Sequence, residues 1–444
     1  MVMHIYLYWI YGARNPTQQF ITVKHKGDGM NRRCVIPEKA WSTGVKWVAL
    51  TLLSIALTAC ASQSTNKRVF WPAPPDLPRV QFLMSIKDSN DVMESKTLSL
   101  LALNSSNGDD FIPVVKPYGI AAGHGKIYIC DTVQAEVLII DLPKKKMTRL
   151  PGNINAGRLK KPVNVAVDEQ GNIYVADTSR LEVLQYDPEG SFLRSFGSGK
   201  DLKPVAVAVE GDFVYLLDQS SSQIHIFDRI SGDYQKSIGR DEDPRRGLSG
   251  PTNMAVDGKG ALYVSNFGTG KIIKLDRDGN FLMGYGRLGV NFGEFGRPRG
   301  VAVDNDGLVY VVDAAAQQVQ IFDAQMQLLM FFGAPGTPGS LNIPAGIAVT
   351  GDNLDYYQKM AAPGFILDKV LFVVSQVGDH MISIYGLGKK QGLDYDAEYK
   401  KALADQEKRA AEALEKARKA QEEKEKTPEQ PADAGSSDSA PPAK

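Results

Sequence analysis

The chain has 444 residues, with 51 basic and 51 acidic side chains in balance and only three cysteines, too few for a disulfide-stapled scaffold. Between residues 79 and 388 the balance is 30 basic against 35 acidic residues. Such mild acidity speaks against a nucleic-acid partner, which needs a concentrated basic face to neutralise phosphates.

Near the N-terminus, Lys46 precedes an apolar run over residues 47–57 that stops short of Cys60. The run is too short for a spanning helix and has the form of a signal-peptide core. Leu57-Thr-Ala-Cys60 resembles the bacterial lipobox, and that resemblance implies cleavage before Cys60 and acylation of its thiol and new amino group. Residues 1–59 are then a leader, and Met30, followed by Asn31-Arg32-Arg33, offers an alternative start. Residues 60–78 are expected to form a lipidated tether. The expected location is the bacterial cell envelope, lipid-anchored to a membrane. By resemblance to enteric lipoproteins, Ala61 rather than Asp after the cysteine implies the outer membrane or cell surface. Cys34 leaves with the leader, and Cys130 is expected to be a small buried hydrophobe.

Residues 79–86 (Arg-Val-Gln-Phe-Leu-Met-Ser-Ile) have the pattern of an isolated strand, and residues 92–103 suggest a helical cover. One phrase then recurs six times, as in Pro162-Val-Asn-Val-Ala-Val-Asp168 and Pro298-Arg-Gly-Val-Ala-Val-Asp304. Its prolines are Pro117, Pro162, Pro204, Pro251, Pro298 and Pro344. A period of this kind signals a solenoid or propeller. In the second unit, residues 164–168, 172–177, 182–187 and 192–196 are predicted as four strands, separated by turn residues such as Gly171, Pro188 and Gly190.

The sixth unit offers only three strands, at residues 345–349, 371–375 and 381–385. Pairing residues 79–86 with that unit would complete it and hide a sheet edge. An insertion at residues 351–369 carries Tyr356, Tyr357, Met360 and Phe365, expected as a partner-docking element. Residues 389–426 are predicted as a charged Ala/Glu/Lys helix and 427–444 as a disordered tail.

The Asp-x-x-Gly-x-hydrophobic-Tyr-Val-x-Asp phrase, with Phe196-Gly197 and Phe332-Gly333 closing units, resembles the NHL-repeat family. The fold expected over residues 79–388 is an all-β, six-bladed β-propeller of four-stranded antiparallel blades with an N-to-C clasp.

In such a ring the residue after each proline should surround the channel mouth: Tyr118, Val163, Val205, Thr252, Arg299 and Ala345. Asp131, Asp177, Asp218, Asn266, Asp313 and Gln376 are expected to end the second strands there. An acid repeated in blade after blade is expected to bind its own turn. Asn164 and Asn253 share a register with Gly119, Gly300 and Gly346, which suggests a positive-φ bend.

The expected function is a membrane-anchored extracytoplasmic lipoprotein whose propeller is a platform for a protein or envelope polymer, with no cofactor. The alternative, implied by resemblance to propeller lactonases and lyases, is an enzyme holding one divalent cation through Asn164 and Asn253. His124, His225 and His380 fall in different registers and are not expected to share a metal.

Overall fold

The computed structural model describes residues 68–73, 76–93, 111–199, 201–395 and scattered positions from 397 to 419. The leader, Cys60, most of the 92–103 segment and the 427–444 tail lie outside the described residues.

Six antiparallel sheets form the ring, one per repeat. The chain enters through β1 (Phe70–Trp71) and β2 (Val80–Ile86). Blade one is β3 (Pro117–Gly123), β4 (Lys126–Asp131), β5 (Glu136–Asp141) and β6 (Lys146–Arg149); blade two is β7 (Pro162–Val167), β8 (Ile173–Asp177), β9 (Glu182–Tyr186) and β10 (Phe192–Phe196). Blade three follows as β11 (Pro204–Glu210), β12 (Phe213–Asp218), β13 (Gln223–Asp228) and β14 (Tyr234–Ile238). Blade four is β15 (Pro251–Val256), β16 (Leu262–Asn266), β17 (Lys271–Leu275) and β18 (Phe281–Tyr285). Blade five is β19 (Pro298–Val303), β20 (Val309–Asp313), β21 (Gln318–Phe322) and β22 (Leu328–Phe332). Blade six takes β23 (Pro344–Thr350), β24 (Phe365–Ser375) and β25 (Ile382–Lys390) from the C-terminal side, with a short helix α1 (Leu354–Gln358) after β23.

The closing blade has the order β1-β2-β25-β24-β23, so the N-terminal strand supplies the missing fourth strand. Val80 pairs with Leu387 and Ile86 with Ile382, and both Val80 and Ile86 are fully buried. Trp71 caps this junction against Phe332 and Tyr385.

Between blades, the apolar faces of the middle strands form the core. The repeated tyrosine of the second strand (Tyr128, Tyr174, Tyr215, Tyr263, Tyr310) is buried in all five blades that have it. Two of these phenols are held by acids that follow the first strand. Tyr174 donates to Asp168 at 3.0 Å and Tyr310 to Asp304 at 2.7 Å. The same acids reach the next blade, Asp168 to Arg229 at 3.1 Å and Asp304 to Lys369 at 2.7 Å. Burial pushes the Asp168 carboxyl up, but hydrogen bonds from Asn172, Tyr174 and Arg229 hold it below the usual range. These links lie on the face opposite the channel mouth and tie neighbouring blades together.

Two expectations are corrected. Residues 365–369 belong to β24, where Phe365 pairs with Lys390, so the insertion is confined to residues 351–364. In blade six the position of the repeated acid is taken by Ser375, paired with Pro344, rather than by Gln376. The described residues between 397 and 419 are helical and exposed.

Candidate functional site

The channel mouth is built by the turn that precedes each inner strand. Asp131, Asp177, Asp218 and Asp313 are buried at its base. Each carboxylate accepts from two directions. Asp177 takes the backbone N–H of Lys160 (2.7 Å) and Lys161 (2.9 Å) on one side, and those of Ser179 and Arg180 (3.0 Å each) on the other. Asp131 binds Val115, Lys116, Val133 and Gln134 in the same way. The repeated acid therefore clamps two loops to each other. Asn266 does this with its amide in blade four, accepting from Ser249 N at 2.6 Å.

The clamp holds the residue before each proline at the rim, and four of these are cationic: Lys116, Lys161, Lys203 and Arg297, all exposed. With Arg299 they line an open cavity of about 390 Å³, whose other walls include Tyr118, Val163, Thr252 and Gln376. No acidic side chain is part of that lining. Tyr118, Thr252 and Arg299, expected at the mouth from sequence, are all placed there, whereas Ala345 is buried beside it and is not in the lining.

Arg299 is 8% exposed, with Tyr118 stacked 5.4 Å from its guanidinium carbon. Its Nη1 is buried without a hydrogen-bond partner among the described residues. Burial lowers its pKa from the ordinary value; Tyr118 opposes that shift and Arg297 adds to it. None of the five cations makes an ion pair among the described residues. The overall acidity of the ring therefore does not describe this face, and the ground on which nucleic acid was set aside does not hold at the mouth.

Asn164 and Asn253 do not fit a divalent cation. The Asn164 side-chain oxygen accepts from Val207 N in the next blade at 3.0 Å, and that of Asn253 from Met254 N at 2.8 Å. Both are inside a rim of cations. Nor does positive φ explain their register, since none of Gly119, Asn164, Asn253, Gly300 and Gly346 has it. At the glycine positions the reason is crowding between inner strands. A Cβ on Gly119 would meet Val163 O and Asn164 Cα at 2.6 Å, and one on Gly346 would meet Tyr118 O at 2.5 Å.

The histidines are dispersed. His124 bonds Asp168 O, His380 bonds Ser85, and His225 lies between Ser237 (2.6 Å) and Asp218 (3.5 Å). That last grouping resembles a relay. Asp218, however, already accepts from Lys203 N, Ser220 and Ser221. Burial raises Asp218, yet hydrogen bonds from His225, Ser220, Ser221 and Lys203 N hold it far below the usual range, as a structural carboxylate would be. Cys130 is fully buried, and burial pushes its thiol well up, away from reactivity.

The docking role expected of the blade-six insertion is not open to its main side chains. Tyr357 and Phe365 are 3% and 2% exposed and pack in the core, Tyr357 on Phe372 and Phe365 on Phe70. Tyr356 and Met360 lean against the same cluster. The insertion covers its own blade.

A different element carries exposed apolar surface. The loop from β18 to β19, on the mouth face, presents Leu288, Val290 and Phe292 at 66%, 84% and 66% exposure. It is not loose. Glu294 binds Arg287 (2.6 Å) and Asn291 (2.9 Å), Gln320 donates to Glu294 O, and Phe295 is fully buried beneath. Phe331 stacks on Phe292 at 4.7 Å. The sequence reading did not single out this ridge, which lies between two repeats and outside the recurring phrase.

A family model described as NHL repeat matches residues 295–322, which cover β19 to β21. The protein named brain tumor of Drosophila melanogaster is 32% identical over 138 residues, 29% of this chain and 13% of that protein, so the chain spans only a small part of it. Among solved structures, a gluconolactonase from Xanthomonas campestris is 16% identical, over 72% of this chain and 97% of that one, with a TM-score of 0.47. Virginiamycin B lyase from Staphylococcus aureus is 15% identical, over 62% and 85%, with a TM-score of 0.42. At these values neither structure carries an argument about activity. Blade count and sheet order make this chain a six-bladed β-propeller, one segment of which, residues 295–322, matches the NHL repeat.

Proposed function

We propose that this protein is a lipid-tethered, extracytoplasmic binding platform whose working surface is the channel-mouth face, and that it captures a protein partner there without transforming it. The observation that carries the reading is the braced Leu288–Val290–Phe292 ridge beside a rim of unpaired cations. Keeping three large apolar side chains in water on a rigidified loop, next to arginines, is the composition of an interface centre. The acids that could act as bases or metal ligands are already engaged by backbone N–H groups.

A photo-crosslinking residue at position 292 should give a discrete adduct with an envelope protein in intact cells. The same residue at Ile230, 68% exposed on the opposite face, should give none. Equal labelling from both positions, or none from 292, would sink the platform reading.

Anchoring rests on the Leu57–Cys60 motif. Two or three acyl chains hold a protein on a bilayer at roughly 0.8 kcal/mol per buried CH₂. Cys60→Ser should abolish incorporation of labelled palmitate and release the protein from washed membranes. Label retained in the variant would refute lipidation at that residue.

A further inference from the structure

We infer that the channel mouth is a binding site for a phosphoryl group, a compact oxyanion of two or more negative charges. The inference rests on the reading of this face as the working surface.

Three observations converge. First, charge: five cations from blades one, two, three and five line one cavity, no acid shares that lining, the four clamp carboxylates lie beneath it on backbone N–H groups, and none of the five cations is ion-paired among the described residues. Like charges held this close repel, so the arrangement is stabilised by an anion between them. Second, desolvation: Arg299 lines the cavity while more than nine-tenths buried, and its Nη1 is shut off from solvent without a partner among the described residues. A buried guanidinium with an unmatched donor is costly, and an anion held in the adjoining cavity would offset that cost. Third, preorganisation: each rim cation has its backbone N–H fixed by the acid beneath, Lys203 by Asp218 at 2.7 Å and Arg297 by Asp313 at 2.9 Å. Their side chains therefore project from defined points around a ring.

The geometry also selects among anions. A carboxylate is planar and is satisfied in that plane by one arginine fork. Here donors come from four blades around a central axis, with Arg299 beside the cavity. That arrangement suits a tetrahedral group whose oxygens point in several directions and whose charge approaches two at neutral pH. At about 390 Å³ the cavity takes a phosphate ester or a headgroup rather than a folded domain.

The test uses the full chain purified in detergent, titrated with pyrophosphate by calorimetry at low salt. One saturable site per chain is expected, with affinity falling as salt rises. Arg299→Gln should weaken binding at least tenfold, and Arg299→Lys should fall between. If Arg299→Gln shifts the thermal transition, the combined Lys116→Gln, Lys161→Gln, Lys203→Gln variant, altered only at exposed positions, should give the same loss.

To separate the source of the phosphoryl group, the Cys60→Ser variant is floated with neutral vesicles and with vesicles containing phosphatidic acid. Flotation with the second alone, competed by pyrophosphate, assigns a lipid headgroup. Pyrophosphate binding without flotation assigns a soluble ester. Citrate binding as tightly as pyrophosphate would overturn the phosphoryl assignment. Single-stranded RNA bound a hundredfold more tightly would overturn it in favour of a polymer groove. Absence of saturable pyrophosphate binding, with the position-292 adduct intact, would overturn this inference alone. Loss of both would remove the mouth face as the working surface.

Discussion

Removing residues 79–86 should make the ring aggregate. The deletion strips β2 from β25 and carries away fully buried Val80 and Ile86 together with the 1%-exposed Gln81. Two fully buried aliphatic side chains alone represent about 3–6 kcal/mol at 1.5–3 kcal/mol each. The exposed β25 edge then presents unpaired N–H and C=O groups to other chains. A domain of ordinary stability, about 5–15 kcal/mol, does not absorb such a loss and remain cooperative. Light scattering and thermal melts of the purified deletion should show assembly and a broadened or absent transition. A soluble monomer with the parent melting curve would mean that β25 can end the blade unaided.

Asp177→Ala should cost about 3 kcal/mol or more, although this residue lies just beneath the channel mouth. Four backbone N–H groups, from Lys160, Lys161, Ser179 and Arg180, lose their acceptor. Leaving a buried donor unpaired costs roughly 1–3 kcal/mol, partly offset here by water entering from the mouth. Asp177→Asn keeps one acceptor oxygen and should lose about half as much. Urea unfolding at neutral pH measures both. If the acid were a ligand-binding group, the Ala variant would keep its stability and lose only affinity; a change below about 1 kcal/mol would favour that reading.

The ring was legible because repetition averages out local ambiguity. Six prolines at one register, each opening an inner strand, left little choice of period, and the missing outer strand of unit six pointed directly at residues 79–86. That the acids serve the scaffold by binding their own turns was also readable, since a group present in nearly every blade has the symmetry of the scaffold; their reach to the neighbouring loop was not. The site was less so. Lys116, Lys161, Lys203 and Arg297 are far apart in sequence and ordinary one by one; only the ring closes them around one cavity. Their charge vanished into a net acidic total because acids such as Asp304 and Asp168 face the opposite side. Tyr357 and Phe365 misled for a related reason. Aromatic residues in an insertion look available until the blade they cover is known.

Blade six also decides how the molecule would yield to force. The first strands of the chain and its last, β25, both belong to it, and the start of β2 lies beside the end of β25, Val80 against Leu387. A pull between the two ends of the chain would strip β1 and then open the β2–β25 ladder from that fork, one pair at a time, instead of shearing all pairs together. Five blades would carry no load. The contacts gathered at the fork act as its latch: Gly388 N bonds Arg79 O at 2.8 Å, Tyr395 donates to Pro78 O at 2.8 Å, and Arg79 lies over the Tyr395 ring at 5.2 Å. The mechanical weak point of the ring and its topological seam are the same few residues.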